Sequence, residues 1–132
     1  MTTKISRFSV SDLNKISEKL LTNFSSTWKL ELFKNELKNK DSYYIAFKQG
    51  NIILGFAGIL KQYDEGHIMT INVDKNYRHL GIGSILLEKL ITIAKKNKLK
   101  EITLEVRASN VSAQKLYEKY SFKVVRNEKE LL

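Results

Sequence analysis

The stretch RHLGIGSILLEKLITIAKK, from Arg78 to Lys96, places a glycine-containing loop directly before an amphipathic segment. From Ile82 onward, apolar residues recur at spacings of three and four, and a polar stripe follows the opposite side. This period predicts an α-helix over 82–97 whose apolar face packs on a sheet. Because glycine weakens a helix, Gly81 and Gly83 at its start indicate a requirement other than helix stability.

The remaining sequence predicts one mixed α/β domain that covers residues 1–132. We expect antiparallel hairpins first, followed by a parallel strand–helix–strand crossover from His67 to Arg107. Ser11-Asp12 and Thr27 are the expected N-caps of the first two helices. Apolar alternation and turn residues predict strands over 4–10, 42–48, 52–60, 67–73, 101–107 and 122–126, and helices over 13–21, 28–37, 82–97 and 111–120.

The composition excludes several kinds of catalytic site. The chain has no cysteine, which excludes disulfides, thiolate metal sites and a cysteine nucleophile. Its two histidines, His67 and His79, cannot alone build a tetrahedral zinc site. We therefore expect chemistry without a metal ion.

The charge and hydropathy of the chain set expectations for its partners. The chain contains 23 Lys and Arg against 14 Asp and Glu, a net charge of +9. This excess favours either a polyanionic partner, such as RNA, a ribosome or a phosphate-rich cofactor, or a compositional bias with scattered lysines. No direct nucleic-acid-binding motif is present. Since the sequence also shows no signal peptide and no membrane-length apolar run, we expect a soluble cytoplasmic protein with no membrane contact.

The glycine loop is a candidate anion site. A helix N-terminus offers unpaired backbone N–H groups and a partial positive charge, which together bind phosphate. Glycine lets an anion approach the backbone closely, and Arg78 and His79 add positive or polar groups. The alternative is a loop that needs glycine only for its torsion angles. The segment lacks the Lys-Ser pair of a Walker A loop and the third glycine of a dinucleotide fingerprint.

Two segments together carry a family resemblance. RHLGIG, residues 78–83, resembles the R/Q-x-x-G-x-G/A motif of the GNAT superfamily of N-acetyltransferases. EVRASNVSAQKLYEKYSF, from Glu105 to Phe122, closely resembles the bacterial ribosomal-protein alanine N-acetyltransferases, which acetylate protein N-termini. The likeness spans roughly residues 5–126. It implies a single-domain α/β GNAT fold, with a mixed central sheet flanked by helices and with C-terminal strands shortened in this chain.

The resemblance implies acetyl-CoA as the co-substrate and assigns residues to its binding. In the family, the loop amides bind the pyrophosphate, while backbone groups of the strand at 71–73 and a side chain matching Asn110 bind the pantetheine arm. Asn110 also precedes a helix, so the residues alone favour a second role as its N-cap. The implied cofactor-binding residues are Ile71, Asn72, Val73, Arg78, His79, Leu80, Gly81, Ile82, Gly83, Ser84 and Asn110.

The resemblance implies two catalytic residues. Glu105 matches the general base, which acts through water on the amine, and Tyr117 matches the general acid, which meets the coenzyme A sulfur. From the residues alone, Glu105 could instead be a surface carboxylate paired with a cation such as Arg107, and Tyr117 a core aromatic. An ordinary tyrosine pKa near 10 exceeds that of a thiol near 8.5. We therefore expect Tyr117 to stabilise the thiolate at least as much as to protonate it.

The acceptor amine is the least determined part of the reaction. We expect a protein or peptide N-terminus, with a ribosomal protein as one candidate, because an α-amine has a pKa near 8 against about 10.4 for lysine. The alternatives are a small-molecule amine or a lysine. A further alternative is a truncated, non-catalytic acetyl-CoA-binding module, since relatives continue past FKVVR with sequence that forms one wall of the peptide site, whereas this chain ends at Leu132.

Overall fold

The computed structural model describes residues 2–26, 28–106 and 109–122. Within these ranges, five strands form one sheet, which is accompanied by four α-helices and two 3-10 turns. The strands are β1 Thr3–Arg7, β2 Ser42–Gln49, β3 Ile52–Gln62, β4 Glu65–Val73 and β5 Glu101–Leu104. The helices are α1 Val10–Ile16, α2 Leu30–Lys38, α3 Ile82–Lys96 and α4 Val111–Lys119, and the 3-10 turns are Ser17–Lys19 and Lys75–Tyr77.

The sheet is mixed, as the sequence predicts. The strands lie in the order β1-β2-β3-β4-β5, and the pairs β1–β2, β2–β3 and β3–β4 are antiparallel. β5 pairs parallel to β4, with α3 as the connection between them. The predicted strand–helix–strand unit is therefore confirmed.

Both faces of the sheet are covered, which explains the long apolar runs in the central strands. On β2, Tyr44 and Ala46 face a core shared with α1 and α2, whereas Ile45 and Phe47 face a core shared with α3. The first core is built on aromatic rings, and Phe56 stacks on Phe8 with centroids 5.0 Å apart. The second core is mainly aliphatic, and it fixes the buried face of α3, which consists of Ile82, Leu86, Leu87, Leu90 and Ala94.

The start of the first helix differs from the prediction. Ser9, not Ser11-Asp12, is the N-cap of α1. The Ser9 hydroxyl accepts a hydrogen bond from the Asp12 N–H at 3.1 Å, and the Asp12 carboxylate accepts one from the Ser9 N–H at 3.0 Å. This reciprocal capping box places Asp12 inside the helix, where it also pairs with Lys48 at 3.0 Å. The helix therefore begins earlier than its apolar pattern suggested.

Other predicted boundaries also shift. α2 begins at Leu30 after Lys29, which makes no side-chain cap, and the predicted cap Thr27 lies outside the described residues. The predicted last strand falls mostly on 123–126, and the expected shortening of the C-terminal strands concerns 123–132; both lie outside the described part of the chain. Among the residues that the structure describes, no helix has the length and apolarity needed to cross a bilayer.

The strand β5 is shorter than the sequence predicts. Its pairing with β4 stops at the Ile68–Leu104 pair. The pairing of β4 with β3, by contrast, continues to Val73. In the described part of the chain, the last residues of β4 therefore have a strand neighbour on one side only.

We predict that Tyr44→Phe maintains or increases stability. Tyr44 is 5% exposed, and its hydroxyl has no hydrogen-bond partner within the described residues, a situation that typically costs about 1–3 kcal/mol. Burial, and then the charge of Glu36, raise the pKa of Tyr44. Because the folded state disfavours the phenolate, this tyrosine makes stability fall as pH rises above its ordinary pKa of about 10.

Thermal denaturation between pH 7 and pH 11 tests this prediction, with Tyr63→Phe as the control because Tyr63 is 96% exposed. We expect Tyr44→Phe to match or exceed the wild-type melting temperature at pH 7 and to lose less of it above pH 10. A lower melting temperature at pH 7, absent from the control, would show that the Tyr44 hydroxyl has a stabilising partner.

Candidate active site

A cleft of about 640 Å³ lies where β4 ends and α3 begins. Its sides are the end of β4, the loop and first turn of α3, one side of α4, and the pair Phe24-Ser25. In open α/β sheets, ligands bind at this carboxyl end of the strands. The volume is in the range of small-molecule sites.

The cleft brings together most of the residues that the sequence predicted. Tyr117 and all of the predicted cofactor-binding residues except Leu80 line it. The Leu80 side chain is 68% exposed. Glu105 is not among the residues that line the cleft; it is exposed and directly follows the last residue of β5.

The backbone conformation requires one of the two loop glycines but not the other. Gly81 is the N-cap residue of α3 and has left-handed torsion angles, φ 86° and ψ 4°. A Cβ added there would meet no atom within 4 Å, so the backbone conformation requires the glycine. A Cβ at Gly83 would instead lie 3.4 Å from Leu116 Cδ2. This is an ordinary contact distance, so the packing of α4 on α3 does not require this glycine, which lines the cleft.

The first turn of α3 presents its backbone N–H groups to the cleft. Gly81 provides no side-chain cap, and the first backbone bond of the helix runs from the Ile85 N–H to the Gly81 carbonyl at 3.1 Å. The N–H groups of 82–84 consequently have no acceptor within the helix. Together with the helix dipole, they suit an anionic group.

The Arg78 side chain joins two sides of the cleft. Its Nε donates to the Val73 carbonyl at 3.1 Å, and a terminal nitrogen donates to the Ser25 hydroxyl at 3.3 Å. The sequence predicted Arg78 as an added positive charge and, by the resemblance, as a cofactor-binding residue. In the structure, its guanidinium also fixes Ser25 against the end of β4.

Asn110 is the N-cap of α4, one of the two roles that the sequence left open. Its Oδ1 accepts a hydrogen bond from the Ala113 N–H at 3.1 Å. The cap uses the amide as an acceptor, whereas a ligand carbonyl needs a donor. Because Nδ2 is a separate donor, capping the helix does not prevent Asn110 from binding a carbonyl in the cleft.

Tyr117 lies on α4, half-buried on the cleft side. Burial raises the pKa of its hydroxyl above the ordinary value near 10. The ring packs edge-on against Phe122, with centroids 5.9 Å apart. At neutral pH the hydroxyl is therefore protonated and able to donate a hydrogen bond.

The described residues hold no group of three or more His, Cys, Asp or Glu side chains placed to bind a metal ion. His67 lies at the far end of β4 from the cleft, and its Nδ1 is 2.8 Å from the Thr103 hydroxyl on β5. Its contact joins the two parallel strands.

Six residues that line the cleft were not predicted from the sequence. Ser112, Ala113 and Leu116 share the face of α4 that carries Tyr117, so the helical period could have indicated them. Tyr77, Phe24 and Ser25 had no such signal. Phe24 and Ser25 come from a loop between α1 and α2, and only tertiary contacts bring them to the cleft.

Residues 12–122 match the model of the acetyltransferase (GNAT) family. The putative [ribosomal protein bS18]-alanine N-acetyltransferase of Bacillus subtilis is 29% identical over 110 residues, which cover 83% of this chain and 73% of that protein.

Solved structures agree with this match. The ribosomal-protein-S18-alanine N-acetyltransferase of Escherichia coli has a TM-score of 0.86 and 28% identity, over 95% of this chain and 80% of that one. PaiA N-acetyltransferase from Thermoplasma acidophilum, in complex with coenzyme A, has a TM-score of 0.83 and 21% identity, over 96% of this chain and 93% of that one. The fold that the sequence resemblance implied is confirmed.

We predict opposite stability effects for alanine at the two loop glycines. Gly81→Ala should lower the free energy of unfolding by about 1 kcal/mol, because an L-residue is strained in the left-handed region. Gly83→Ala should raise it by about 0.5–1 kcal/mol, because alanine favours the helix and its Cβ meets Leu116 at an ordinary contact distance. Urea denaturation of both variants measures the difference, and equal losses would contradict the separate roles.

Proposed function

The chain belongs to the acetyltransferase (GNAT) family, and we propose that it transfers an acetyl group from acetyl-CoA to the α-amino group of a protein N-terminus. The observation that carries the proposal is the cleft at the end of β4, because it combines an uncapped helix N-terminus, a one-sided strand edge and a protonated tyrosine. Each of these features suits a different part of the substrates.

The helix N-terminus and the strand edge fit the two ends of the coenzyme. The N–H groups of 82–84 would bind the pyrophosphate, whose negative charge matches the positive end of α3. The backbone of 69–73, where β4 no longer pairs with β5, would pair with the amides of the pantetheine arm. The Asn110 Nδ2 is a further donor for that arm. The coenzyme A complex of the Thermoplasma acidophilum protein, which has the same fold, supports this ligand.

Tyr117 is the proposed partner of the leaving group. Acetyl-CoA would supply a thioester carbonyl; the acceptor amine forms the new C–N bond, and the C–S bond breaks. Tyr117 would donate a hydrogen bond to the departing sulfur. Because burial raises the pKa of Tyr117 further above that of a thiol, we infer that it mainly stabilises the thiolate and does not deliver its proton completely.

Glu105 is the proposed acceptor of the amine proton. It directly follows the Ile68–Leu104 pair, at the point where β4 and β5 separate, and it is exposed. From a position outside the cleft lining, its carboxylate would receive the proton through water. A carboxylate is a weak base, which restricts the amines from which it can accept a proton.

The pKa of the acceptor favours an α-amine. At pH 7, roughly one tenth of α-amines are neutral, against about one lysine in a few thousand. A weak base is therefore sufficient more often for a protein N-terminus than for a lysine, because a larger fraction of α-amines is already neutral. The similarity to proteins named as bS18-alanine N-acetyltransferases supports a ribosomal protein as the first acceptor to test. The net charge of +9 agrees with an acceptor close to ribosomal RNA.

An acceptor panel tests the proposed function. The protein is incubated with acetyl-CoA and a peptide with an N-terminal alanine, the same peptide with a blocked N-terminus and an internal lysine, or a polyamine, while coenzyme A release is measured. We expect turnover on the free N-terminus only. Glu105→Gln should lower kcat by about 100-fold, the lower end of typical general acid–base contributions. Glu101→Gln is the control, since Glu101 is an exposed carboxylate at the opposite end of β5.

Each alternative has its own outcome in this panel. Turnover on the lysine peptide or the polyamine would show that the acceptor is not a protein N-terminus, while the protein would still be an acetyltransferase. Calorimetric binding of coenzyme A without turnover on any acceptor would favour a non-catalytic module. Equal rates for Glu105→Gln and Glu101→Gln would show that Glu105 does not accept the amine proton.

A further inference from the structure

A buried carboxylate lies just outside the cleft. Asp74 is 7% exposed, and besides Asp12 it is the only charged side chain that is buried within the described residues. Asp12 pairs with Lys48 at 3.0 Å, whereas no basic nitrogen lies within 4.0 Å of the Asp74 carboxylate in the described part of the chain. A buried charge is costly unless hydrogen bonds compensate it, so the partners of Asp74 show what it holds in place.

Two hydrogen bonds link Asp74 and its neighbour to a loop 51 residues earlier. Asn23 Nδ2 donates to Asp74 Oδ2 at 3.3 Å, and the Lys75 N–H donates to the Asn23 carbonyl at 2.8 Å. The other carboxylate oxygen accepts from the Asn76 N–H at 2.9 Å and caps the 3-10 turn. We call the contact of Asn23 with Asp74 and Lys75 the clasp.

The clasp joins two sides of the cleft without lining it. Asn23 directly precedes Phe24 and Ser25, which form one side. Asp74 directly follows β4 and begins the segment that leads to the glycine loop. The hydrogen bond from Arg78 to Ser25 runs between the same two segments, inside the cleft. The Phe24 ring anchors this side in the aromatic core, 5.4 Å from Phe56.

We propose that Asn23 and Asp74 are positioning residues that preorganise the cleft for acetyl-CoA. They hold Phe24 and Ser25 against the segment that carries Arg78 and the glycine loop, so the two sides are fixed before the ligand binds. Preorganisation increases affinity because ordering costs are already met in the free protein. This inference rests on the proposed function, in which the cleft binds acetyl-CoA. A role only in folding would change stability and leave affinity unchanged.

A reciprocal exchange of the two side chains tests the clasp. Asn23→Asp places two carboxylates opposite each other, and Asp74→Asn places two amides opposite each other. The double variant with both changes restores one donor and one acceptor in the reverse direction, with the net charge of the wild type. Calorimetry measures the Kd for coenzyme A well below every melting temperature, which thermal denaturation measures separately. We expect the Kd to rise about tenfold in each single variant, as the loss of one hydrogen bond predicts, and to return close to the wild-type value in the double variant.

Asn39→Ala is the matched control. Asn39 Oδ1 holds a turn by accepting from the Asp41 N–H at 2.9 Å, and it lies outside the cleft. This variant should lower the melting temperature and leave the Kd unchanged. Single variants of the clasp that behave in the same way, or a double variant that binds no better than the singles, would overturn the proposal. Failure of the wild type to bind coenzyme A would overturn the proposed function together with the clasp.

Discussion

The separation of β4 from β5 is the constraint on which the rest of the site depends. The two strands pair in parallel only as far as Ile68 and Leu104, whereas β4 continues beside β3 to Val73. If β5 remained paired to the end of β4, its backbone would occupy the strand edge that faces the cleft. The early end of this ladder exposes the backbone polar groups of 69–73, and such groups favour pairing with another chain of amides.

The helix α3 adds, at its N-terminus, a partial positive charge beside this strand edge. Its apolar face is fixed in the aliphatic core, so its N-terminus is held at the end of β4. Gly81 sets the backbone of the N-cap, and α4 packs beside the first turn of α3, which brings Asn110 and Tyr117 to the same cleft. One strand edge, one helix N-terminus and one tyrosine thus come from three elements that pack on the same part of the sheet.

The sequence predicted the features that depend on local patterns. The helical period of α3, the glycine loop and the parallel unit around them are all present in the structure. The predicted end of β5 was wrong by several residues, because the alternation of apolar residues continues past Leu104 although the pairing with β4 does not. The position of a strand end depends on its neighbour, and the sequence of one strand does not carry that information.

The contacts between distant segments were also beyond the sequence analysis. Asn23 and Asp74 lie in segments with no shared pattern, so neither the clasp nor the cleft side at Phe24 and Ser25 could be predicted. The capping box at Ser9 differs from these contacts because its signal is local, with Asp12 three residues later. The predicted cap, Ser11-Asp12, was wrong because it lies nearer to the apolar pattern than the true cap does. The roles of Glu105 and Tyr117 remain predictions from the resemblance, and only Tyr117 lines the cleft.

Hydrogen exchange of the backbone amides, with and without coenzyme A, determines where the coenzyme binds. We expect new protection in two segments, the helix N-terminus at 79–84 and the strand edge at 69–73. A second cleft, of about 560 Å³, lies between the end of β1 and the end of α2 and includes Ile5 and Leu37. Protection at that cleft, with none at 79–84, would contradict the account.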